Sequence, residues 1–493
     1  MGVARVQVSR ALISVHDKTG LIEFCRRLAA CGVDLISSGG TATTLASAGL
    51  AVTSVSELTG FSEILGGRVK TLHPSVHGAI LARPDDPTHR LDLDEHDIKP
   101  IELVVSNLYP FESDPSIEQI DIGGVALSRA AAKNHEFVGV VIDPSQYDAV
   151  AAEIEAGGLL ASTRLDLAHR AFLRTADYDA AIAKWLRPAG DLPDRIHVAL
   201  EKTGPLRYGE NPHQSAAAYA EVGSAPWWRS ARLVQGKELS FNNLADAEAA
   251  WRLVNVIEGQ AAVIVKHANP CGVAFGDSAL DALQRAWECD PLSAFGGVVA
   301  LNQALDAKTA QFFADRFVEV VVVPEVASTE GIKPSVRLLA AAAPHRGDLD
   351  WRRVEDGFLV QDRDEVLDDF VTLSAREPQD WVDLRLAVTV AAHTRSNAIV
   401  IVRDGAAVGV GAGDQSRVGA VAKALRQAGD RGRGAVAASD AFFPFPDAIE
   451  MLAAAGVVAV VAPGGSRNDQ EIIDTADRLG IALVHSNRRH FLH

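Results

Sequence analysis

Short apolar runs alternate with stretches of helical period in the first fifty residues, and this alternation constrains the fold more than any other feature. "RALISV" and "VDLISS" read as buried strands. Leu21, Ile22, Cys25, Leu28 and Ala29 recur at helical spacing between them, and "TATTLASAG" supplies a second helix ending at Gly49. Strand and helix in alternation imply a parallel sheet covered on both faces, an α/β doubly wound arrangement. Further strands fall at "ELVVSNLYP" and "FVGVVIDP", and residues 145–200 read as largely helical and Ala-rich.

A chain of 493 residues exceeds one core and calls for roughly two to four domains. "LRPAGDLPD", with Pro188 and Pro193, is the best boundary. Beyond it, strand-like runs recur at "AAVIVKH", "GVVALN", "VEVVVVP", "NAIVIVRDGAAVGVGAG" and "GVVAVVAPGG". The runs from Ala261 and from Asn397 both lead into Gly-containing turns, a hint of an internal repeat. "AAAPHRGDLDWRRVEDG" reads as an irregular, exposed connection.

The formal charge of −17 comes without any long Lys/Arg run, which argues against non-specific nucleic-acid binding. A few basic residues in a cleft can still focus potential on a small anion. Cys25, Cys31, Cys271 and Cys289 contain no C-x-x-C, which argues for free thiols in a reducing compartment. The start carries no apolar signal region, and the apolar run Met451–Ala462 is well short of the roughly 20 residues a membrane helix needs. A cytoplasmic enzyme is the expectation.

Several loops concentrate chemistry. "SSGGT", Ser37 to Thr41, lies where a strand passes into a helix. It reads either as a phosphate-receiving N-terminus or as an ordinary Gly-rich turn with Thr41 as N-cap. "GGRVKTLHPSVHG" puts Arg68, Lys70, Thr71, His73 and His77 between glycines, too polar to be core, so anion binding is favoured. Zinc on His73 and His77 competes poorly, because an i, i+4 pair needs a helix and Pro74 falls inside it. "NLYPF" and "QIDIGGVALSRAAAKNHEF" add Asn107, Tyr109, Asp121, Gly123, Gly124 and Lys133, with "DIGG" opening a helix. In "GVGAGDQSR" the glycines 409, 411 and 413 miss the G-x-G-x-x-G spacing, and no P-loop pattern occurs.

"VIVKHANPCG" raises a zinc question, because Pro270-Cys271 looks like half of a nucleobase-deaminase site. Such a site needs H-x-E and P-C-x-x-C. No H-x-E precedes Cys271, and the second cysteine is replaced within Gly272-Val273-Ala274. Zinc is rejected. Lys266-His267 remains: a cation beside an imidazole lowers its pKa and can polarise an acyl oxygen. The bland alternative is a structural histidine after a strand.

"SVHDKTG", "SSGGT", "LTGFSEILGGRVKTLHPSVHG", "NLYPF", "DIGG…RAAAKN", "LRYGENPHQ", "VKHANPCG", "DPLSAFGG", "GAGDQSR", "SDAFFPF" and "APGGS" together resemble the bifunctional AICAR transformylase/IMP cyclohydrolase family of purine biosynthesis. The matches run in family order over essentially the whole chain and are thinnest between Ala340 and Val388. The resemblance implies a methylglyoxal-synthase-like cyclohydrolase domain with trailing helices over 1–197. It implies a transformylase over 198–493, built from two cytidine-deaminase-like halves without zinc that meet near 370–390. It further implies 10-formyltetrahydrofolate as cosubstrate, no catalytic metal, and a homodimer.

By the same resemblance, His267 is the proton acceptor and Lys266 the transition-state stabiliser of formyl transfer. Arg207, Tyr208, Gly296, Glu319, Asn397, Phe442 and Arg489 match AICAR-binding positions, with Glu319 expected from the second subunit. Arg417, Val418, Asp447, Ser466 and Arg467 match folate positions. For ring closure, Lys133 is the proton donor and acceptor, while Lys70, Tyr109 and Asp121 polarise the formyl oxygen or orient the carboxamide. Nucleotide-binding positions are Asp17, Lys18, Ser38, Gly39, Gly40, Thr41, Arg68, Val69, Lys70, Thr71, Ser106, Asn107, Asp121 and Ile122. His16 departs from the family pattern in "SVHDKTG". A zinc deaminase and a nucleotide sensor without turnover are the rival classes; metal analysis and a turnover assay separate them.

Overall fold

A computed structural model describes residues 5–187, 192–345, 349–366 and 369–493. The chain divides into two compact units, Met1–Ala199 and Leu200–His493. Pro188 of the expected boundary lies outside the described residues; Pro193 lies within the first unit.

The first unit is built on five parallel strands in the spatial order Val52–Ser54, Asp34–Ser37, Arg10–Ile13, Leu103–Val105, Gly139–Val141. Leu12, Ile36, Val104 and Val140 are fully buried, which is why these runs are apolar without alternation. Each such side chain stabilises the sheet by about 1.5–3 kcal/mol. Chain order reverses between Arg10–Ile13 and Leu103–Val105. The carboxyl ends of those two strands therefore flank the crevice where open α/β sheets bind ligands. Val52–Ser54 is a short edge strand with no buried residue, too polar to stand out in the sequence. Helix persists to Trp185 and not to 200: Tyr147–Glu155 and Ala161–Trp185 are helices, and no helix occurs at 192–199.

The second unit holds a twelve-stranded sheet that is an internal repeat. In the first half, the hairpin Gln260–Lys266/Asn269–Gly276 leads outward to Val298–Leu301, Val320–Val323, Arg337–Ala340 and the edge strand Arg232–Gln235. In the second, the hairpin Ile399–Arg403/Ala406–Gly411 leads to Val436–Ser439, Ala459–Pro463, Ala482–Ser486 and the edge strand Phe370–Thr372. Pairing directions match strand for strand: antiparallel hairpin, antiparallel, parallel, parallel, antiparallel. The halves meet at Ala274↔Ala406. Because Phe370–Thr372 belongs to the second half, that half begins no later than Phe370, at the leading edge of the expected interval.

Gly272 and Gly409 occupy equivalent places in the two hairpins. A Cβ would come within 2.1 Å of the Ala286 carbonyl oxygen at Gly272 and within 2.3 Å of the Ala424 oxygen at Gly409. These glycines let the following helix lie against the strand, so the "GVGAG" pattern serves packing. The segment expected to be irregular is otherwise: Leu349–Val354 pairs with Gly357–Asp362 as an antiparallel hairpin. Its strands are mostly exposed on both faces, so no buried alternation marks them in the sequence. No helix of the described residues is long and apolar enough to cross a membrane.

Candidate functional site

In the first unit the site forms at the switch point. Strand Leu103–Val105 ends in Ser106 and Asn107. The Asn107 Oδ1 accepts from the His16 and Asp17 backbone N–H groups (2.6 and 2.9 Å), and its Nδ2 donates to the Asp17 oxygen (2.8 Å). Asn107 thus clamps the loop after Arg10–Ile13. The His16 and Tyr109 rings meet edge to face at 5.5 Å, and the Lys18 ammonium donates to the His16 oxygen at 3.4 Å.

Ser38, not Thr41, takes the N-cap position of helix Gly39–Ser47. Thr41 is inside that helix, and its hydroxyl donates to the Val15 oxygen at 3.0 Å. The free helix start faces the glycine loop: a Cβ on Gly39 would lie 3.0 Å from the Lys70 Nζ, and one on Gly67 2.7 Å from its Cε. Both glycines have positive φ, 52° and 89°. They leave room for an ammonium beside open helix N–H groups, a setting suited to an anion. Glu63 is 3.5 Å from Lys70 and partly balances it. Val69 pairs with Ile64 in an isolated bridge, while Arg68 reaches Glu118 on the surface.

Thr71 follows Lys70 and carries the site onward, since a Cβ on Gly123 would lie 3.0 Å from its hydroxyl. Asp121 Oδ1 accepts from the Gly124 N–H at 2.7 Å, closing the start of helix Gly123–Lys133. The helix start that "DIGG" opens is therefore already occupied by its own carboxylate. Burial raises the Asp121 pKa, while backbone bonds from Gly124 and Tyr109 oppose the shift. The Asp121 N–H donates to the Tyr178 hydroxyl (2.9 Å), which donates to the Gln119 oxygen (2.5 Å). Ser106 is buried and bonds the Gly124 oxygen at 3.4 Å; Ile122 is exposed. Gly40 lies in the first turn of helix Gly39–Ser47, where its oxygen accepts from Thr44. Lys133 is the exposed last residue of its helix, about 15 Å of rise beyond Gly123.

His73 is the N-cap of helix Pro74–Leu81, its Nδ1 accepting from Ser75 N–H at 3.2 Å. Pro74 stands at the first helical position, so the helix begins at the proline rather than being broken by it. His77 lies one turn in, with its Nε2 buried and unpartnered and its pKa lowered by burial.

In the second unit Lys266 and His267 sit at the tip of the first hairpin. Lys266 pairs with Asn269, so His267-Ala268 is a two-residue turn, with φ of 53° and 58°. Both signs match a type I′ turn, which normally takes Asn or Gly. The equivalent turn in the second half is Asp404-Gly405, φ 51° and 74°. A helix carboxylate fixes each: Asp246 accepts from Ala268 N–H at 2.6 Å and Asp383 from Gly405 N–H at 2.7 Å. Imidazole is exposed at the tip. The Lys266 ammonium donates to the Phe295 oxygen at 2.8 Å, and a Cβ on Gly296 would lie 3.2 Å from it.

Cys271 is the extra residue of a bulge, mirrored by Val408 in the second hairpin. Its thiol donates to the Ile264 oxygen at 3.5 Å, and burial pushes its pKa up to about 12. Its position is one of packing. All four cysteines are unpaired, and among the described residues no group of three or more His, Cys, Asp or Glu is disposed to hold a metal.

Around the tip, Asn269 Oδ1 accepts from the Arg395 N–H at 3.1 Å, bringing in the segment that carries Asn397. Asn397 donates through Nδ2 to the Asp414 oxygen at 2.9 Å. Glu319 accepts from Asn243 (3.2 Å) and Arg337 (3.3 Å) within its own chain, and its N–H bonds the Gly297 oxygen. Arg417 is buried, its guanidinium on Asp440 and on the Ala398 oxygen. Val418 follows it in helix Arg417–Ala428. Phe442 and Asp447 are exposed, Asp447 opening helix Asp447–Ala454. Ser466 and Arg467 lie in the loop before helix Asp469–Leu479; the Ser466 N–H donates to Asp469 at 3.0 Å. Arg489 lies over Phe491, and Arg207 over Tyr208. Sequence reading missed Tyr178, Asp246 and Asp440. A carboxylate inside an apolar stretch, as in "FNNLADAEAAW" and "VAASDAFF", was the available signal.

The unit built on parallel strands is of the methylglyoxal-synthase-like class: residues 20–135 match the family described as MGS-like domain. Residues 131–427 match the family described as AICARFT/IMPCHase bienzyme. The chain belongs to that bienzyme family. It is 48% identical to the bifunctional purine biosynthesis protein PurH of Paracoccus denitrificans over 99% of both chains. It is 48% identical to that of Mesorhizobium japonicum, covering 99% of this chain and 98% of the relative. The Mycobacterium ulcerans protein of the same name is 46% identical over 99% of each.

Proposed function

We infer that this chain is an AICAR formyltransferase and IMP cyclohydrolase, with one step assigned to each compact unit. The observation that carries the assignment is the Lys266-His267 turn: an exposed imidazole held at positive φ beside an ammonium resting over Gly296. Non-glycine residues held in this region recur at active sites, where surrounding structure sustains the strain.

In formyl transfer, the AICAR amine attacks the formyl carbon of 10-formyltetrahydrofolate. The amine is conjugated with its ring and nucleophilic only as its proton leaves. His267 takes that proton, a contribution of about 10²–10⁴ in rate. The new C–N bond forms, negative charge develops on the formyl oxygen, and Lys266 stabilises it by about 3–4 kcal/mol. The bond from carbon to the folate nitrogen then breaks, and that nitrogen is protonated. Arg207, Tyr208, Gly296, Asn397, Phe442 and Arg489 bind AICAR; Arg417, Val418, Asp447, Ser466 and Arg467 bind folate. Glu319 acts from a second copy, in a homodimer. Exposed apolar side chains on two surface hairpins, Leu200 and Tyr219 on Leu200–Leu206/Ala216–Glu221 and Trp351, Phe358 and Leu359 on Leu349–Val354/Gly357–Asp362, fit a covered surface.

In ring closure, the carboxamide nitrogen attacks the formyl carbon within one molecule and water leaves. Positioning supplies most of the acceleration. Asp17, Lys18, Ser38 to Thr41, Arg68 to Thr71, Ser106, Asn107, Asp121 and Ile122 hold the nucleotide. Lys70, Tyr109 and Asp121 address the reacting groups, and Lys133 carries the proton. Neither step uses a metal, and four unpaired thiols fit a cytoplasmic setting. The direct test mixes protein, AICAR and 10-formyltetrahydrofolate and looks for IMP. Failure to form IMP from AICAR, or from supplied formyl-AICAR, would remove the corresponding assignment.

A further inference from the structure

The repeat exposes one position where the two halves were built alike and then diverged in charge. Asn302 follows the third strand of the first half. Its Oδ1 accepts from the Ala261 N–H at 2.8 Å, and its own N–H bonds the Ala261 oxygen at 3.4 Å. Asp440 does the same in the second half: Oδ1 accepts from Ala398 N–H at 3.0 Å, and its N–H bonds the Ala398 oxygen at 3.2 Å. The remaining atoms differ. The Asn302 amide donates to the oxygens of Gly259 and Val254, at 2.9 and 3.3 Å. A carboxylate cannot donate, and Asp440 instead accepts from the Ser396 hydroxyl at 2.6 Å and from the Arg417 guanidinium. Arg417 has its own counterpart. It opens the helix after the hairpin, capped by Ser416, where the first half has Ala279 capped by Ser278.

The first half therefore makes the same clamp with Ala279 and Asn302, and the fold does not require the ions. Arg417 is 8% exposed and Asp440 1%. A buried ion pair is a poor source of stability, because desolvation offsets the attraction. The carboxylate also gathers segments that carry proposed site residues: Ser396 beside Asn397, the Arg417 helix, and the chain before Phe442. The His490 N–H, next to Arg489, bonds the Asp440 backbone oxygen at 2.9 Å.

We propose that Asp440 is a positioning residue for formyl transfer: it holds the Arg417 guanidinium in the orientation that receives the anionic folate cosubstrate. The proposal rests on the reading of Arg417 as a folate contact. The test is a cycle of Asp440→Asn, Arg417→Ala and the double variant, which copies the Asn and Ala of the first half. Each is assayed for KM and kcat toward 10-formyltetrahydrofolate, with closure of supplied formyl-AICAR as an independent control. Asp440→Asn should raise the folate KM by about tenfold, Arg417→Ala by at least as much, and the double variant by no more than Arg417→Ala, because the two act as one unit. An unchanged folate KM in Asp440→Asn, with a raised KM in Arg417→Ala, overturns the positioning role alone. An unchanged KM in Arg417→Ala overturns the folate reading beneath it. Should Asp440→Asn fail to fold with Arg417 left unpaired, the double variant decides: a KM about tenfold above that of Arg417→Ala would show Asp440 acting by another route.

Discussion

His267 and Ala268 hold a turn conformation that side chains other than Gly, Asn and Asp rarely adopt, and the equivalent turn uses Asp404-Gly405. The strain is separable from the chemistry. Ala268→Gly should stabilise the second unit by about 1 kcal/mol in urea unfolding, since a left-handed residue costs roughly 1–2 kcal/mol. His267→Ala should abolish formyl transfer while closure of supplied formyl-AICAR survives. Gly296→Ala should lower kcat for formyl transfer, because a Cβ 3.2 Å from the Lys266 Nζ at a φ of 68° displaces the ammonium; the expected loss is about 10². Asp383 supplies a pH prediction. Burial raises its pKa from 3.8 to about 6, so the folded state holds a proton that the unfolded state releases first. Stability of the second unit therefore falls as pH rises from about 4 to about 6. Asp383→Asn, which keeps an acceptor for the Gly405 N–H, should recover on the order of 2 kcal/mol at pH 7 and nothing near pH 4. Thermal scans at the two pH values check it. Lys266-His267 was legible as a pair because two ionisable residues ended an apolar run. Asp246 was not, because its contact with Ala268 N–H spans 22 residues.

Among the elements, the hairpins and their following helices carry the clearest structural logic. Gly409→Ala forces a methyl against the Ala424 carbonyl and should destabilise the second unit by about 1–3 kcal/mol, read by urea unfolding of that unit. The strands expected from buried apolar runs are those whose both faces are covered, such as Leu103–Val105 and Ala459–Pro463. Besides the short buried strands Arg337–Ala340, Val436–Ser439 and Ala482–Ser486, those that escaped notice include edges or surface hairpins: Val52–Ser54, Phe370–Thr372, Leu349–Val354. Their residues need only one neighbour, and exposure removes the apolar signature. Helix ends behaved likewise. Pro74 was read as falling inside a helix and breaking it, whereas the structure starts the helix there; "SSGGT" left the cap open until the backbone of Ser38 set it.

At the scale of the whole chain, two units invite a separation of activities. Lys133→Ala should halt closure and let formyl-AICAR accumulate without slowing formyl transfer, followed by product analysis. Unchanged closure would instead move the proton chemistry to Lys70, which stands beside Gly39 and Gly67, whereas Lys133 ends its helix about 15 Å of rise beyond Gly123. A variant that disabled both steps while folded would argue against separate sites. Composition, apolar runs and ordered motifs were enough for the α/β class, and they drew attention to a two-part chain and to the Lys-His pair, because local periodicity reports which faces are buried and a loop dense in cations and glycines cannot be core. The equivalence of Asn302 with Asp440, the capture of Arg417, and the clamp of Asn107 on the His16 loop became visible only in three dimensions. Each joins residues that no short-range pattern relates. Sheet register, which follows from packing of the whole core, sets which of them meet.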